Sequence, residues 1–201
     1  MSPVKFASTV ILGGLLGGCV PPVAMVPPNA STGGYVGVAA SVDPIAAEFT
    51  GLLDSNDWTT RGAGGAGQIW GAGTIEEIMD IGGVLAIGNN ASSVGMYVTV
   101  WPVRDAWRFG VQVSAGAVWA GVALPTFAPV VPERLWFYVV PTASLSATPL
   151  MGEAGLAIQP GSSPKTLQIG GRVATNIANT LELGAAGVVV SYIAPLGAMK
   201  K

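Results

Sequence analysis

The sequence predicts an all-β fold: an antiparallel up-and-down β-barrel of about eight strands, with one short helix in the loop after the first strand. Three observations predict it. From Tyr35 onward apolar residues recur mostly at period two, the side-chain period of a strand. The periodic stretches are separated by short connections, as antiparallel hairpins require. Charged residues make up only 10% of the chain and hydrophobic residues 50%, yet no stretch offers the roughly 20 consecutive apolar residues of a spanning helix. A water-facing surface normally carries about 25–35% charge. Much of this chain's surface therefore faces something other than water, and a closed barrel leaves no backbone group unpaired there.

The chain begins MSPVKFASTVILGGLLGGCV. Lys5 and the amino terminus make a small positive region. Residues 6–16 form an apolar stretch of the length of a signal-peptide core, too short to span a bilayer as a helix. Gly17 and Gly18 then precede Cys19. Leu16-Gly17-Gly18-Cys19 resembles the lipobox of bacterial lipoproteins. The resemblance implies that residues 1–18 are a signal peptide cleaved before Cys19. It also implies that the Cys19 thiol and the new amino terminus are acylated, so that the chain is held by membrane lipid. Two or three acyl chains anchor stably, at about 0.8 kcal/mol per buried CH₂. Val20 stands where such lipoproteins carry an aspartate when retained in the inner membrane, so the resemblance points to the outer membrane. Cys19 is the single cysteine, which excludes an internal disulfide and a cysteine-rich metal site. Residues 19–33, with two Pro-Pro pairs and a Ser-Thr-Gly-Gly end, read as a proline-rich tether.

Residues 34–196 read as the barrel domain and 197–201 as a tail. Nine stretches read as strands: 34–42, 66–74, 82–88, 94–103, 107–123, 135–147, 152–159, 166–178 and 181–194. Bacterial single-chain barrels use an even number, so one strand is false or one is missed. The weakest is 66–74, because Thr74-Ile75-Glu76-Glu77-Ile78-Met79-Asp80 has helical character. Residues 125–132 read as a proline-marked loop. The expected helix is 44–53: Asp43 would cap it, Pro44 would take its first position, and Ile45, Phe49, Leu52 and Leu53 would form an apolar stripe.

In the 107–123 stretch, Trp107, Phe109, Val111, Val113 and Trp119 share one face, and Arg108, Gln112 and Ser114 the other. In 166–178, Leu167, Ile169 and Val173 oppose Gln168, Arg172 and Asn176. Two readings use these faces. In a membrane barrel, the apolar face meets lipid. Arg108, Gln112, Gln168, Arg172 and Asn176 then line a polar interior, where Glu153 and Glu182 supply the acidic partners. Trp101, Trp107, Trp119 and Trp136 would form an interface belt. Small outer-membrane barrels resemble the body in this general pattern, which implies a structural, surface-interaction or minor transport role. In the alternative, an envelope lipoprotein carries a soluble periplasmic β-barrel or sandwich whose apolar face is a core, binding a partner or an apolar ligand.

Chemistry is sparsely encoded. The chain has no histidine, the usual general base and commonest metal ligand. Gly62-Ala63-Gly64-Gly65-Ala66-Gly67 satisfies G-x-G-x-x-G but lacks the strand before and helix after that a dinucleotide site needs. Ser162-Ser163-Pro164-Lys165 matches S-x-x-K inside a short proline-containing loop rather than at a buried helix start. Glu76, Glu77 and Asp80 read as solvated loop charges. Nine basic against eleven acidic residues leave no basic patch for nucleic acid. The expectation is a non-enzymatic protein with no catalytic residues, metal or cofactor, whose partner is membrane lipid.

Overall fold

A computed structural model of the chain describes residues 23–49, 58–61, 64–88, 92–104, 107–116, 120–144, 150–160, 165–176 and 182–196. Among them the strands are β1 (Gly33–Phe49), β2 (Trp58–Arg61), β3 (Gly64–Ile75), β4 (Met79–Gly88), β5 (Ser92–Arg104) and β6 (Arg108–Gly116). They continue with β7 (Ala120–Ala123), β8 (Thr126–Val131), β9 (Leu135–Ser144), β10 (Leu150–Ile158), β11 (Thr166–Asn176) and β12 (Glu182–Pro195). Every pairing is antiparallel. β12 returns to β1, with Pro195 opposite Tyr35, and closes the sheet into a barrel. β7 and β8 share one place between β6 and β9, so the ring has ten strands. β2 lies off the ring and keeps the register of β3 along the last residues of β1. β1 starts and β12 ends at one rim, the near rim, which also carries the turns after β3, β5, β8 and β10.

Ten strands replace the expected eight. Two strands make the difference: the doubted 66–74 stretch is a strand, within β3, and the 107–123 stretch is two, with β6 running up to Gly116 and β7 starting down at Ala120. At about 3.3 Å per residue a single strand of that length would overshoot the rest of the wall. The proline-marked 125–132 stretch is mostly strand as well, since Thr126–Val131 continues the line of β7 after a break at Leu124-Pro125.

No helix occurs among the described residues, and the helix expected at 44–53 is corrected over its first half. Ile45 and Ala46 pair with Ala186 and Ala185 of β12, and residues 46–49 pair with β2. Asp43-Pro44 sits where the β1–β12 register shifts, between Val42 and Ile45. A bulge suits a proline, which has no N–H for the ladder. Residues 50–53 lie outside the described residues. The supposed helical stretch 74–80 is a hairpin turn: the Ile78 N–H donates to the Ile75 carbonyl at 3.0 Å, and Glu76 and Glu77 have φ of 47° and 57°. Two left-handed residues suit the right-handed twist of the flanking strands but are costly for side chains with a Cβ. Replacing Glu77 with glycine is expected to stabilise the barrel by about 1 kcal/mol, read as a higher urea midpoint. An unchanged midpoint would mean that the turn relaxes.

The outward face is apolar, and the inward face mixes polar side chains with aromatic and aliphatic ones. The β9 burial pattern shows it: Trp136, Tyr138, Val140, Thr142 and Ser144 are buried while Phe137, Val139, Pro141 and Ala143 are exposed. Inward positions elsewhere include Ser41, Thr74, Asp80, Thr99, Gln112, Glu153, Gln168 and Ser191, all under 9% exposed. Outward ones include Val38, Ile69, Leu85, Met96, Val113, Leu156, Ile169 and Val190. Among the described side chains no charge lies on the outward face of a strand. The exposed charges Glu76, Glu77, Glu133, Arg134 and Lys165 all sit in near-rim connections.

Candidate functional site: the barrel lumen

Ten strands about 4.8 Å apart and tilted about 40° enclose a backbone cylinder about 20 Å across. An eight-stranded barrel is filled by its own side chains, and a ten-stranded one is wider. Here the additional space is occupied by the chain itself. Val23, Ala24, Met25, Val26 and Ala30 are buried in the same cluster as the inward side chains of the wall. The segment read as a tether over 19–33 is therefore corrected over 23–30, which lies inside the barrel.

Side chains of the wall hold this segment by its carbonyl groups. The Trp70 indole Nε1–H donates to the Met25 carbonyl at 3.1 Å, Gln112 Nε2 to Ala24 at 2.7 Å, and Arg108 Nη1 to Pro27 at 3.1 Å. Asn29 Nδ2 donates to Gln159 Oε1 at 2.8 Å. The order of these contacts gives the path. Ser31 and Asn29 meet Tyr35 and Gln159 at the near rim, Pro27 meets Arg108 at the start of β6, and Ala24 meets Gln112 one helical-turn-free step of four residues further along that strand. Read toward the amino terminus, the segment enters at the near rim and runs into the lumen.

A band of aromatic and charged groups crosses the wall beside it. Asp80, fully buried, accepts from Thr74 Oγ1 at 2.7 Å and from Trp101 Nε1 at 2.6 Å. The Arg108 guanidinium lies over the Trp101 ring, 5.4 Å from its centroid. Trp101 packs on Phe127 at 6.0 Å and Phe127 on Tyr138 at 6.1 Å, both tilted as aromatic quadrupoles prefer. Tyr138 OH donates to Glu153 Oε1 at 2.8 Å, and Glu153 is the register partner of Arg172. Two more register pairs hydrogen-bond across the interior, Gln112 with Thr99 at 3.0 Å and Ser191 with Gln168 at 2.7 Å.

Glycines make room for this band. A Cβ on Gly37 would fall within the Trp70 indole, one on Gly82 would come 2.6 Å from Tyr97 Cζ, and one on Gly110 would come 2.8 Å from Trp101. Each large ring thus lies flat against a neighbouring strand rather than across the lumen. Gly37→Val is expected to cost about 1–3 kcal/mol by overpacking, seen as a lower urea midpoint, and truncating Trp70 in the same chain should return part of the loss. A G37V chain as stable as the parent would show that the ring has room to swing aside.

Of the sequence-selected interior residues, Arg108, Gln112, Glu153 and Gln168 are buried in the lumen and Arg172 is half-buried beside Glu153. Asn176 and Glu182 are register partners at the far ends of β11 and β12, and their side chains lie outside the described part. The aromatic belt is corrected. Trp107 is 60% exposed on the outside, but Trp101 and Trp136 are 3% and 6% exposed and face inward. Trp119 lies outside the described residues, as do Cys19 and Ser162, Ser163 and Pro164 of the S-x-x-K stretch. Asp80, read as a solvated loop charge, is instead the acceptor at the centre of the band. It was legible in one respect: through the hairpin turn it shares a face with Thr74.

No known family matches the chain, and no curated protein matches it. Among solved structures, a bacterial polysaccharide outer membrane secretin is similar at 10% sequence identity and a TM-score of 0.32, over 84% of this chain and 100% of that one.

Proposed function

We propose that this chain is a non-catalytic, lipid-anchored β-barrel that sits in the bacterial outer membrane, with a structural, surface-interaction or minor transport role. One observation carries the reading: the described outward faces of the strands are apolar and uncharged while the polar side chains point inward. In water such an exterior would be one continuous apolar patch, far beyond the few hundred Å² that soluble monomers expose. In a bilayer it is the solvent-matched surface, and the closed ladder leaves no strand edge in lipid. The soluble alternative needs the opposite arrangement, with the apolar face as a core. Cys19, through the lipobox resemblance, supplies the anchor.

Cys19→Ser tests both parts in one bacterial host. Palmitate labelling of the variant should vanish, and labelling equal to the parent would remove the anchor. The same variant should stay in the membrane fraction after alkaline carbonate extraction, because the strands rather than the lipid hold it there. Its release as a soluble monomer would show that the barrel is not in the bilayer.

A further inference from the structure

We propose that the barrel is a gated conduit for small ions and polar solutes, and that residues 23–30 are its plug. The proposal rests on the membrane reading above. Three features of the lumen carry it. First, the segment is inside the wall without being part of it. Residues 23–30 belong to no strand, and apart from apolar packing in the buried cluster their polar contacts to the wall are side-chain hydrogen bonds from Trp70, Arg108 and Gln112 and to Gln159, with no ladder bond among them. Bonds of this kind break one at a time, whereas removing a strand would open the ladder. The prolines at 27 and 28 carry no N–H.

Second, the wall around the plug carries polar groups among its aromatic and aliphatic side chains at every depth. Among the described residues, six buried side-chain atoms have no hydrogen-bond partner: Ser41 Oγ, Tyr97 OH, Trp136 Nε1, Thr142 Oγ1, Thr166 Oγ1 and Gln168 Nε2. Their residues are all under 9% exposed, and they run from the near rim at Thr166 to the far half of the wall at Ser41 and Thr142. An apolar core would not carry such a row, because each group costs free energy unless it is solvated. A passage that carries water and ions uses them. Third, the plug meets the ring at Gly33, the first residue of β1, whose φ of +154° is one that L side chains rarely adopt. That junction lies at the near rim, so the plug can loosen within the lumen while β1 and the ring stay paired.

The test is potassium chloride conductance of the full chain in planar phosphatidylcholine bilayers. It is compared with a length-preserving variant in which residues 23–30 are replaced by glycine and serine. Insertion is scored separately, by heat-modifiable migration and protease resistance in vesicles of the same lipid. The full chain is expected to be mostly closed. The variant is expected to raise the open population by roughly tenfold or more, and a synthetic VAMVPPNA peptide should reduce its current where a scrambled peptide does not. A second variant, Arg108→Met with Gln112→Leu, keeps the plug sequence but removes two of its donors, and should open intermittently. An inserted glycine–serine variant as tight as the parent overturns the plug. If that variant does not fold, a silent, inserted Arg108→Met/Gln112→Leu chain overturns it instead. Failure of the full chain to insert overturns the conduit together with the membrane reading.

Discussion

Val139→Arg and Ile169→Arg are each expected to destabilise the barrel in a bilayer by about 2–4 kcal/mol, the cost of an arginine on a barrel's lipid face near the midplane. Both residues face outward, 37% and 44% exposed, away from the ends of β9 and β11. In a water-exposed strand the same changes would fall within about 0.5 kcal/mol of neutral. The size of the loss therefore discriminates between the two environments for this exterior. The measurement is urea unfolding in phosphatidylcholine vesicles, followed by tryptophan fluorescence. Glu133→Arg is the control. Glu133 is exposed in the near-rim turn after β8, so its loss should be small. If Val139→Arg and the control unfold at the same urea concentration, the exterior is not in lipid.

The second large effect is at Asp80. Its carboxylate accepts from Thr74 and Trp101 at 2.7 and 2.6 Å in a fully buried site, with the Arg108 guanidinium over the same indole. Asp80→Ala leaves two buried donors without their acceptor and removes a buried negative charge that shares the Trp101 indole with the Arg108 guanidinium. Breaking one side of a buried charged network costs about 3–5 kcal/mol. Trp101→Phe alone removes one donor and keeps the ring against Phe127. In the double variant the two losses should fall short of their sum by about 0.5–3 kcal/mol, the coupling expected for groups in direct contact. Strict additivity in that cycle would mean that the 2.6 Å bond contributes nothing to stability.

Around Asp80, local spacing and tertiary placement diverge. Glu76, Glu77 and Asp80 lie within five residues, and their spacing invites a helical or loop interpretation. The hairpin turn separates them: the two glutamates are exposed at the rim, and Asp80 enters the wall on the inward face. Residue type alone points Trp101 and Trp136 to an interface belt. The alternation itself placed them otherwise, since Trp101 shares a face with Tyr97 and Thr99, and Trp136 with Thr142 and Ser144. Period was the better guide than composition, because a strand's parity is a covalent fact while an aromatic ring is at home on either face of this barrel.

Strand character, antiparallel hairpins and the pairing of one polar with one apolar face follow from local chemistry, and the sequence by itself determined them. Side chains alternate at every residue of a strand, so a window of a few residues carries the pattern. Three things were decided only in the tertiary structure. The number of strands depends on where the 107–123 stretch turns back, and its glycine- and alanine-rich centre carries no strong turn signal. The direction of the faces depends on closure, because either face of a local alternation can point inward. The place of residues 23–30 depends on the ring size: a proline-rich stretch has no period of its own, and its position was set by the width of a ten-stranded lumen and by wall donors far away in sequence, Trp70, Arg108 and Gln112.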